Sequence, residues 1–295
     1  MNIPYRAFGN SGLSVSAIGF GAGQIGDENL SEDHVGHLLN RAVDLGINLF
    51  DTARGYGLSE ARIGRHLAHR RNEIVLSTKV GYGIPGFADW TYDCIVAGID
   101  AALGLMRTDV LDIVHLHSCP LNVLQQGEVI DALERAREAG KFRIAAYSGE
   151  NAELEWAVAS GRFGSLQCSV NLCEQRALQG PVALAAARGQ GVIAKRAVAN
   201  APWRFAERPH GHYCEEYWHR WKTIAIDPHG LDWQELAIRY TCFAPGVSSA
   251  IIGTTSAEHL ERNIAYVSRG PLAPALIAQI EDAFRRHDQN WVGQL

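Results

Sequence analysis

Asp51, Tyr56, Lys79 and His117 are the residue types from which a proton-transfer site beside a carbonyl is assembled. A phenol has a reference pKa of about 10, too high for ready two-way proton exchange with a substrate near neutrality. A lysine ammonium about 4 Å away, at an effective dielectric near 20, favours the phenolate by on the order of 4 kcal/mol, or up to roughly three pKa units. Lys79 offers Tyr56 that service. A buried lysine tends to lose its proton, and a carboxylate at Asp51 keeps it charged. His117 then hydrogen-bonds and orients the carbonyl. Taken together, the four residues read as a proton donor placed beside a carbonyl that gains hydride from elsewhere. Taken singly, each is ordinary: an Asp after a strand caps, a strand-end Lys snorkels, a loop Tyr packs.

The elements that must bring them together are legible in the hydrophobic pattern. From Ser16 onward, short apolar or β-branched runs alternate with longer stretches of helical period: SAIGF, SEDHVGHLLNRAVDLG, INLFDTA, SEARIGRHLAHRR, EIVLSTKVG, and so on to SAIIGT and AEHLERNIAYV. About eight candidate strands alternate with helices. Parallel strands joined by right-handed crossovers form a closed barrel or an open doubly wound sheet, and eight favours closure. The expectation is an α/β fold, one (β/α)8 TIM barrel over 1–295. Its strand-end loops open on one face, so that Asp51, Tyr56, Lys79 and His117 become neighbours. Gly46, Gly140, Gly161 and Gly191 read as left-handed helix stops, and Ser31, Ser59 and Ser256 as helix N-caps. Asn10-Ser11-Gly12 between two short runs reads as a hairpin placed to plug one barrel end.

Composition bounds the partners. With 47% hydrophobic and 20% charged residues, the chain of 295 residues has material for a large core. The 27 basic and 32 acidic residues give a net charge of −5, which argues against nucleic acid or an anionic membrane surface as a partner. No apolar run is long enough for a membrane span, and the first residues do not read as a leader, so a cytoplasmic protein is expected. Six cysteines without a C-x-x-C pair read as reduced thiols. Cys119, with no base assigned to it, reads as a wall of the pocket.

Two features invite other readings. Gly21, Gly23 and Gly26 form G-x-G-x-x-G after a strand, but Asp27 and Glu28 intervene before a helix expected near Ser31. Two carboxylates would face the pyrophosphate of a dinucleotide fingerprint, so the glycines are read as a loop at the barrel mouth. Residues 200–231 follow the seventh strand without a clear amphipathic period and are rich in aromatics. They are read as a substrate-loop insertion or lid lined by Trp203, Phe205, Tyr213, Tyr217, Trp218 and Trp221. His210, His212 and Cys214 within it lack an obvious fourth ligand, and no metal site is assigned.

D-T-A-x-x-Y-G at Asp51 to Gly57, S-T-K at Ser77 to Lys79, and the final His of D-V-L-D-I-V-H-L-H resemble the aldo-keto reductases in order and spacing. So do the leading hairpin, G-F-G-A-G after the first strand and I-I-G-T-T-S-A-E-H-L-E-R-N near the end. The resemblance covers nearly the whole chain. It implies a barrel oxidoreductase interconverting a carbonyl (aldehyde, ketone or sugar hemiacetal) and an alcohol, with Asp51, Tyr56, Lys79 and His117 as the catalytic tetrad. Cofactor contacts are implied at Gly21, Ala22, Gly23, Asp51, Ser148, Gln167, Lys195, Arg196, Gly253, Thr254, Thr255, His259, Arg262 and Asn263, with the last segment gripping the adenosine phosphate. NADP(H) is expected as the preferred cofactor, with NAD(H) also admitted because no Lys or Arg stands near Gly253 or Thr255. Two departures are visible: Ser148-Gly149 stands where members often have Ser-Asn, and Ala194-Lys195-Arg196-Ala197 where members place a ring against the nicotinamide. Lys195 and Arg196 contact the pyrophosphate or ion-pair across the barrel mouth. Two rival classes stand beside this reading: a Schiff-base lyase using Lys79 or Lys195, and a regulatory module that binds the cofactor to sense redox state.

Overall fold

The computed structural model describes residues 3–295. A two-stranded antiparallel hairpin, β1 (Tyr5–Ala7) and β2 (Ser14–Ser16), precedes eight parallel strands. These are β3 (Ile18–Gly21), β4 (Leu49–Asp51), β5 (Val75–Val80), β6 (Leu111–His117), β7 (Phe142–Ser148), β8 (Ser165–Ser169), β9 (Gly191–Lys195) and β10 (Ser249–Ile252). They close in sequence order, β10 pairing with both β9 and β3, which makes the barrel the alternation called for. Between and after the strands run α1 (Glu32–Asp44), α2 (Ser59–Leu67), α3 (Tyr92–Met106), α4 (Leu121–Gln126), α5 (Glu128–Glu138), α6 (Asn151–Ser160), α7 (Arg176–Gln179), α8 (Pro181–Ala187), α9 (Glu215–Ile224), α10 (Trp233–Cys242), α11 (Ala257–Ser268) and α12 (Pro274–His287).

Because side chains alternate across a strand, each strand sends every second residue into the barrel. The lower interior layer is apolar: Leu49, Val75, Ile113, Ile144, Ala146 and Ile193 pack with Phe8 and Val15 of the hairpin segment. Phe8 is fully buried, and its ring lies where a Cβ at Gly191 would stand, so the hairpin does plug this end. Higher on these strands, and on β8, the inward residues turn polar: Asp51, Ser77, Lys79, His115, His117, Ser148, Gln167 and Lys195. The alternation thus stacks a greasy floor under a polar chamber at the carboxyl ends of the strands.

Three local readings need correction. Ser31 and Ser256 cap α1 and α11 by accepting the N–H of His34 and His259, but Ser59 lies inside the first turn of α2. Its hydroxyl instead accepts from Thr52 Oγ1 at 2.7 Å and donates to the Ala22 carbonyl at 2.8 Å, tying the Tyr56 loop to the end of β3. Gly191 is the first residue of β9, and the left-handed glycine after α8 is Gly189. Residues 200–231 are not an irregular lid, since they contain α9. Tyr217 is buried, Trp203 stacks on Trp233 at 6.0 Å, and Phe205 and Trp221 pack into a cluster with α10 and α12. Aromatic residues at uneven spacing obscured the helical period.

Candidate active site

The polar chamber is built on the strand register. Asp51 pairs with Ser77 across β4 and β5, His117 with Ser148 across β6 and β7, and Ser148 with Gln167 across β7 and β8. Lys79, 1% exposed, donates from Nζ to Asp51 Oδ2 at 2.6 Å and to the Thr52 carbonyl at 2.7 Å. Asp51 Oδ1 accepts from Ser77 Oγ at 2.7 Å and from Gln167 Nε2 at 2.9 Å, and Gln167 Oε1 accepts from Ser148 Oγ at 3.0 Å. Burial opposes both charges of the ion pair. For Lys79 the Asp51 carboxylate and Tyr56 outweigh it and the pKa is raised; for Asp51 the Lys79 ammonium and then His115 outweigh it and the pKa is lowered. The pair is therefore ionised, each charge offsetting part of the other's desolvation.

Tyr56 stands over this pair, the Lys79 ammonium 5.0 Å from its ring centre. Its loop is fixed by close backbone packing. A Cβ at Gly26 would fall 1.9 Å from the Tyr56 carbonyl, and Gly57, at φ +52°, faces Gly26 in return. The third glycine of the G-x-G-x-x-G run thus seats the Tyr56 loop. His117 meets Tyr56 edge to face, ring centres 5.9 Å apart. Burial, then the positive charges of Lys79 and Lys195, push its pKa down to about 3, so the ring is neutral.

Three neighbours went unnoticed in the sequence. Tyr82, three residues beyond Lys79, stacks on His117 with ring centres 5.4 Å apart, and its hydroxyl lies 2.7 Å from His117 Nδ1. His115, the other inward histidine of β6, is wholly buried, held neutral with a pKa near 4 chiefly by burial, and contacts Ser77 Oγ at 3.1 Å. The period of two in H-L-H was the signal for it. Glu150, two residues past β7 and just before α6, pairs with Lys195 Nζ at 3.1 Å and takes the N–H and hydroxyl of Ser169, each at 2.8 Å.

The residues assigned to a cofactor lie along one cleft of about 990 Å³, lined by Gly21, Ala22, Gly23, Asp51, Ser148, Gln167, Lys195, Arg196, Gly253, Thr254, Thr255, His259 and Arg262. Asn263 is buried behind that wall and meets Gln234, which lines it. The donor set suits a dinucleotide. At one end the Ser148–Gln167 pair retains an acceptor lone pair and a donor for a carboxamide. At the other, α11 aims its N-terminus past the Thr254 and Thr255 hydroxyls, with exposed His259 and Arg262 one turn in. Between them the floor is glycine: a Cβ at Gly253 would meet Gln24 Oε1 at 2.3 Å. Gly149 lacks a side chain for a clear reason, since a Cβ there would lie 2.4 Å from the Tyr147 hydroxyl. Lys195 is held on Glu150, and Arg196 is engaged by the Tyr213 hydroxyl at 2.8 Å and Ser169 Oγ at 3.1 Å. Of the aromatic loop residues, Trp203 and Tyr213 line the cleft, whereas Phe205, Tyr217, Trp218 and Trp221 do not. His210, His212 and Cys214 diverge: His210 faces Glu215, His212 Nδ1 accepts the Cys214 N–H, and the Cys214 thiol is buried against the Ala199 carbonyl.

A closed (β/α)8 barrel whose strand ends gather an Asp–Lys ion pair, a phenol and a neutral imidazole beside a dinucleotide-sized cleft belongs to the class of barrel oxidoreductases. The chain matches the family model described as "Aldo/keto reductase family" over residues 17–285 and belongs to that family, whose members use nicotinamide cofactors in carbonyl and alcohol redox chemistry. It is 28% identical to L-galactose dehydrogenase of Arabidopsis thaliana over 283 residues, 90% of this chain and 88% of that protein. It is 25% identical to D-threo-aldose 1-dehydrogenase of a Pseudomonas species, over 88% and 91% of the two chains. An aldo-keto reductase structure from Bacillus halodurans superposes with a TM-score of 0.84 at 24% identity, covering 96% of each chain, which shows the shared fold.

Proposed function

We propose that the protein is an NAD(P)H-dependent dehydrogenase of sugars, interconverting the anomeric hydroxyl of an aldose and the corresponding carbonyl, with Tyr56 as the proton donor and acceptor. The observation that carries the reading is the buried Lys79–Asp51 ion pair beneath Tyr56, facing a neutral His117. A bound nicotinamide cofactor would supply or receive the hydride; Ser148 and Gln167 would hold its nicotinamide end, and Thr254, Thr255, His259 and Arg262 its phosphate end. The ammonium of Lys79 stabilises negative charge developing on the Tyr56 oxygen as the proton leaves. His117, neutral, donates a hydrogen bond to the substrate oxygen. Asp51 keeps the ammonium charged, which makes Lys79 a poor amine nucleophile and weighs against a Schiff-base reaction.

The sugar class is supported by two of the relatives matched over most of their length, both named as sugar dehydrogenases. Polar groups at the cleft, among them Asn200, His212 and Tyr213, suit a polyhydroxylated substrate. The cofactor preference belongs to the same reading: NADP(H) ahead of NAD(H), on the strength of Arg262 and the α11 N-terminus. One barrel unit with 200–231 as an insertion is the accompanying picture, supported by the single closed sheet, and a cytoplasmic placement goes with it, in keeping with six buried free thiols. The test is titration with NADPH and NADH, followed by turnover on a panel of aldoses and simple aldehydes. Cofactor binding with turnover on aldoses supports the proposal. Binding without turnover on any carbonyl or alcohol would make the protein a redox-sensing module instead.

A further inference from the structure

We infer that Tyr82 is a positioning residue that fixes the tautomer of His117, donating its phenolic proton to Nδ1 so that Nε2 carries hydrogen toward the substrate. This deepens the proposed dehydrogenase reading and rests on it for its purpose, though not for its geometry. Tyr82 Oη lies 2.7 Å from His117 Nδ1, and the two rings stack with centres 5.4 Å apart and planes 25° from parallel. Trp90 supports Tyr82 from the side at 5.9 Å, and Gly55 leaves room for the hydroxyl, which a Cβ there would approach to 3.2 Å. Tyr82 is thus clamped by three elements: the loop after β4, the loop after β5, and the end of β6.

The direction of the hydrogen bond follows from its partners. Tyr82 Oη has no other hydrogen-bond partner among the described residues, so donation to Nδ1 is the protein contact that uses its proton, whereas accepting from Nδ1–H would turn that proton to solvent. A phenol is a good donor, and an imidazole nitrogen is a good acceptor. With Nδ1 accepting, the neutral ring must carry its hydrogen on Nε2, which has no protein partner among the described residues, while the ring itself lines the cleft. The other tautomer would present a bare lone pair to the lone pairs of a substrate oxygen. The two phenols at the site act on different partners, since Tyr56 faces the Lys79 ammonium and Tyr82 faces the imidazole.

The experiment uses the protein without substrate, labelled with ¹⁵N-histidine, with His117→Asn to assign the ring signals and Tyr82→Phe as the probe. Phe keeps the stacked ring and removes only the hydroxyl. The wild type is expected to show His117 with an unprotonated, hydrogen-bonded Nδ1 and a protonated Nε2 at neutral pH. Tyr82→Phe is expected to show a mixture of tautomers. Its kcat/KM should fall about five- to tenfold, as the loss of one hydrogen bond's net worth predicts, while cofactor Kd is unchanged. A wild-type His117 protonated on Nδ1 would overturn the inference, as would a folded Tyr82→Phe protein with unaltered ring shifts. The nitrogen shifts are read without turnover, so a protein with the expected tautomer and no turnover of aldoses would count against the proposed function alone.

Discussion

Tyr56 contributes one dissociable proton above the Lys79 ammonium, and removing that proton is the narrowest test of its role. Tyr56→Phe should bind cofactor as the wild type does and lose sugar or aldehyde turnover by about 100-fold or more, the contribution expected of a general acid; near-normal turnover in a folded variant would eliminate Tyr56 as the donor. Glu174 permits a different test, of stability. Burial and then the neighbouring Glu150 carboxylate push its pKa up to about 7, while Tyr217 and the N–H of Gln294 hydrogen-bond it. A carboxyl whose folded pKa lies above its unfolded value contributes stability below the unfolded pKa and loses it as pH rises through the folded one. From the ordinary 4.5 to about 7, the contribution lost is on the order of 3 kcal/mol at about 1.4 kcal/mol per pKa unit. Denaturant titrations at pH 5 and pH 8.5 should show the wild type losing stability that Glu174→Gln retains. Parallel pH dependences in the two proteins would show that Glu174 is ionised in the fold throughout.

At the scale of elements, α11 is the part whose sequence and placement agree most directly. Ser256 caps it, Thr254 Oγ1 accepts the Ser256 N–H at 3.0 Å, and His34 reaches across to the Thr255 carbonyl at 2.7 Å, so the turn before the helix is held at the cleft. Arg262 lies one turn in, exposed and without an ion pair among the described residues. If it meets the 2′-phosphate, Arg262→Ala removes a charge-assisted hydrogen bond worth about 1.5–3 kcal/mol, enough to weaken NADPH binding tenfold or more. NADH, which lacks that phosphate, should bind as before. Equal changes in the two dissociation constants would take Arg262 out of the phosphate site. The segment from Pro202 to Ile224 teaches the opposite lesson. Trp203, Phe205 and Trp221 are anchors in a core shared with α10 and α12, so removing the segment would open that core rather than merely uncover a substrate.

Across the whole molecule, the barrel separates stability from chemistry along its axis. The hairpin closes the amino-terminal end, where Phe8 is fully buried against the inward residues of five strands. Phe8→Ala should cost about 3–5 kcal/mol of unfolding free energy, the range for emptying a buried aromatic site. Cofactor affinity should be unchanged, because the polar chamber begins a layer above. A Phe8→Ala protein of unaltered stability that has lost cofactor binding would contradict this division of the barrel.

The pattern of the chain by itself determined that eight strands would alternate with helices and that Asp51, Tyr56, Lys79 and His117 would end or follow successive strands, because periods of 2 and 3.6 are written locally. Ser31, Ser256, Gly46, Gly140 and Gly161 were readable for the same reason, each acting within one turn of its own position. What the tertiary structure decided depends on residues far apart in the chain. Gly26 is a seat for Tyr56 rather than a phosphate loop, because Tyr56 and Gly57 come to lie against it. Arg196 and Lys195 face Ser169, Tyr213 and Glu150, which the side-by-side pairing of β7, β8 and β9 and the return of the segment after β9 bring together. Tyr82 meets His117 across two strand ends, and no local pattern encodes a contact between a loop after β5 and the end of β6. Local periodicity specifies which residues point inward; only packing specifies which of them touch.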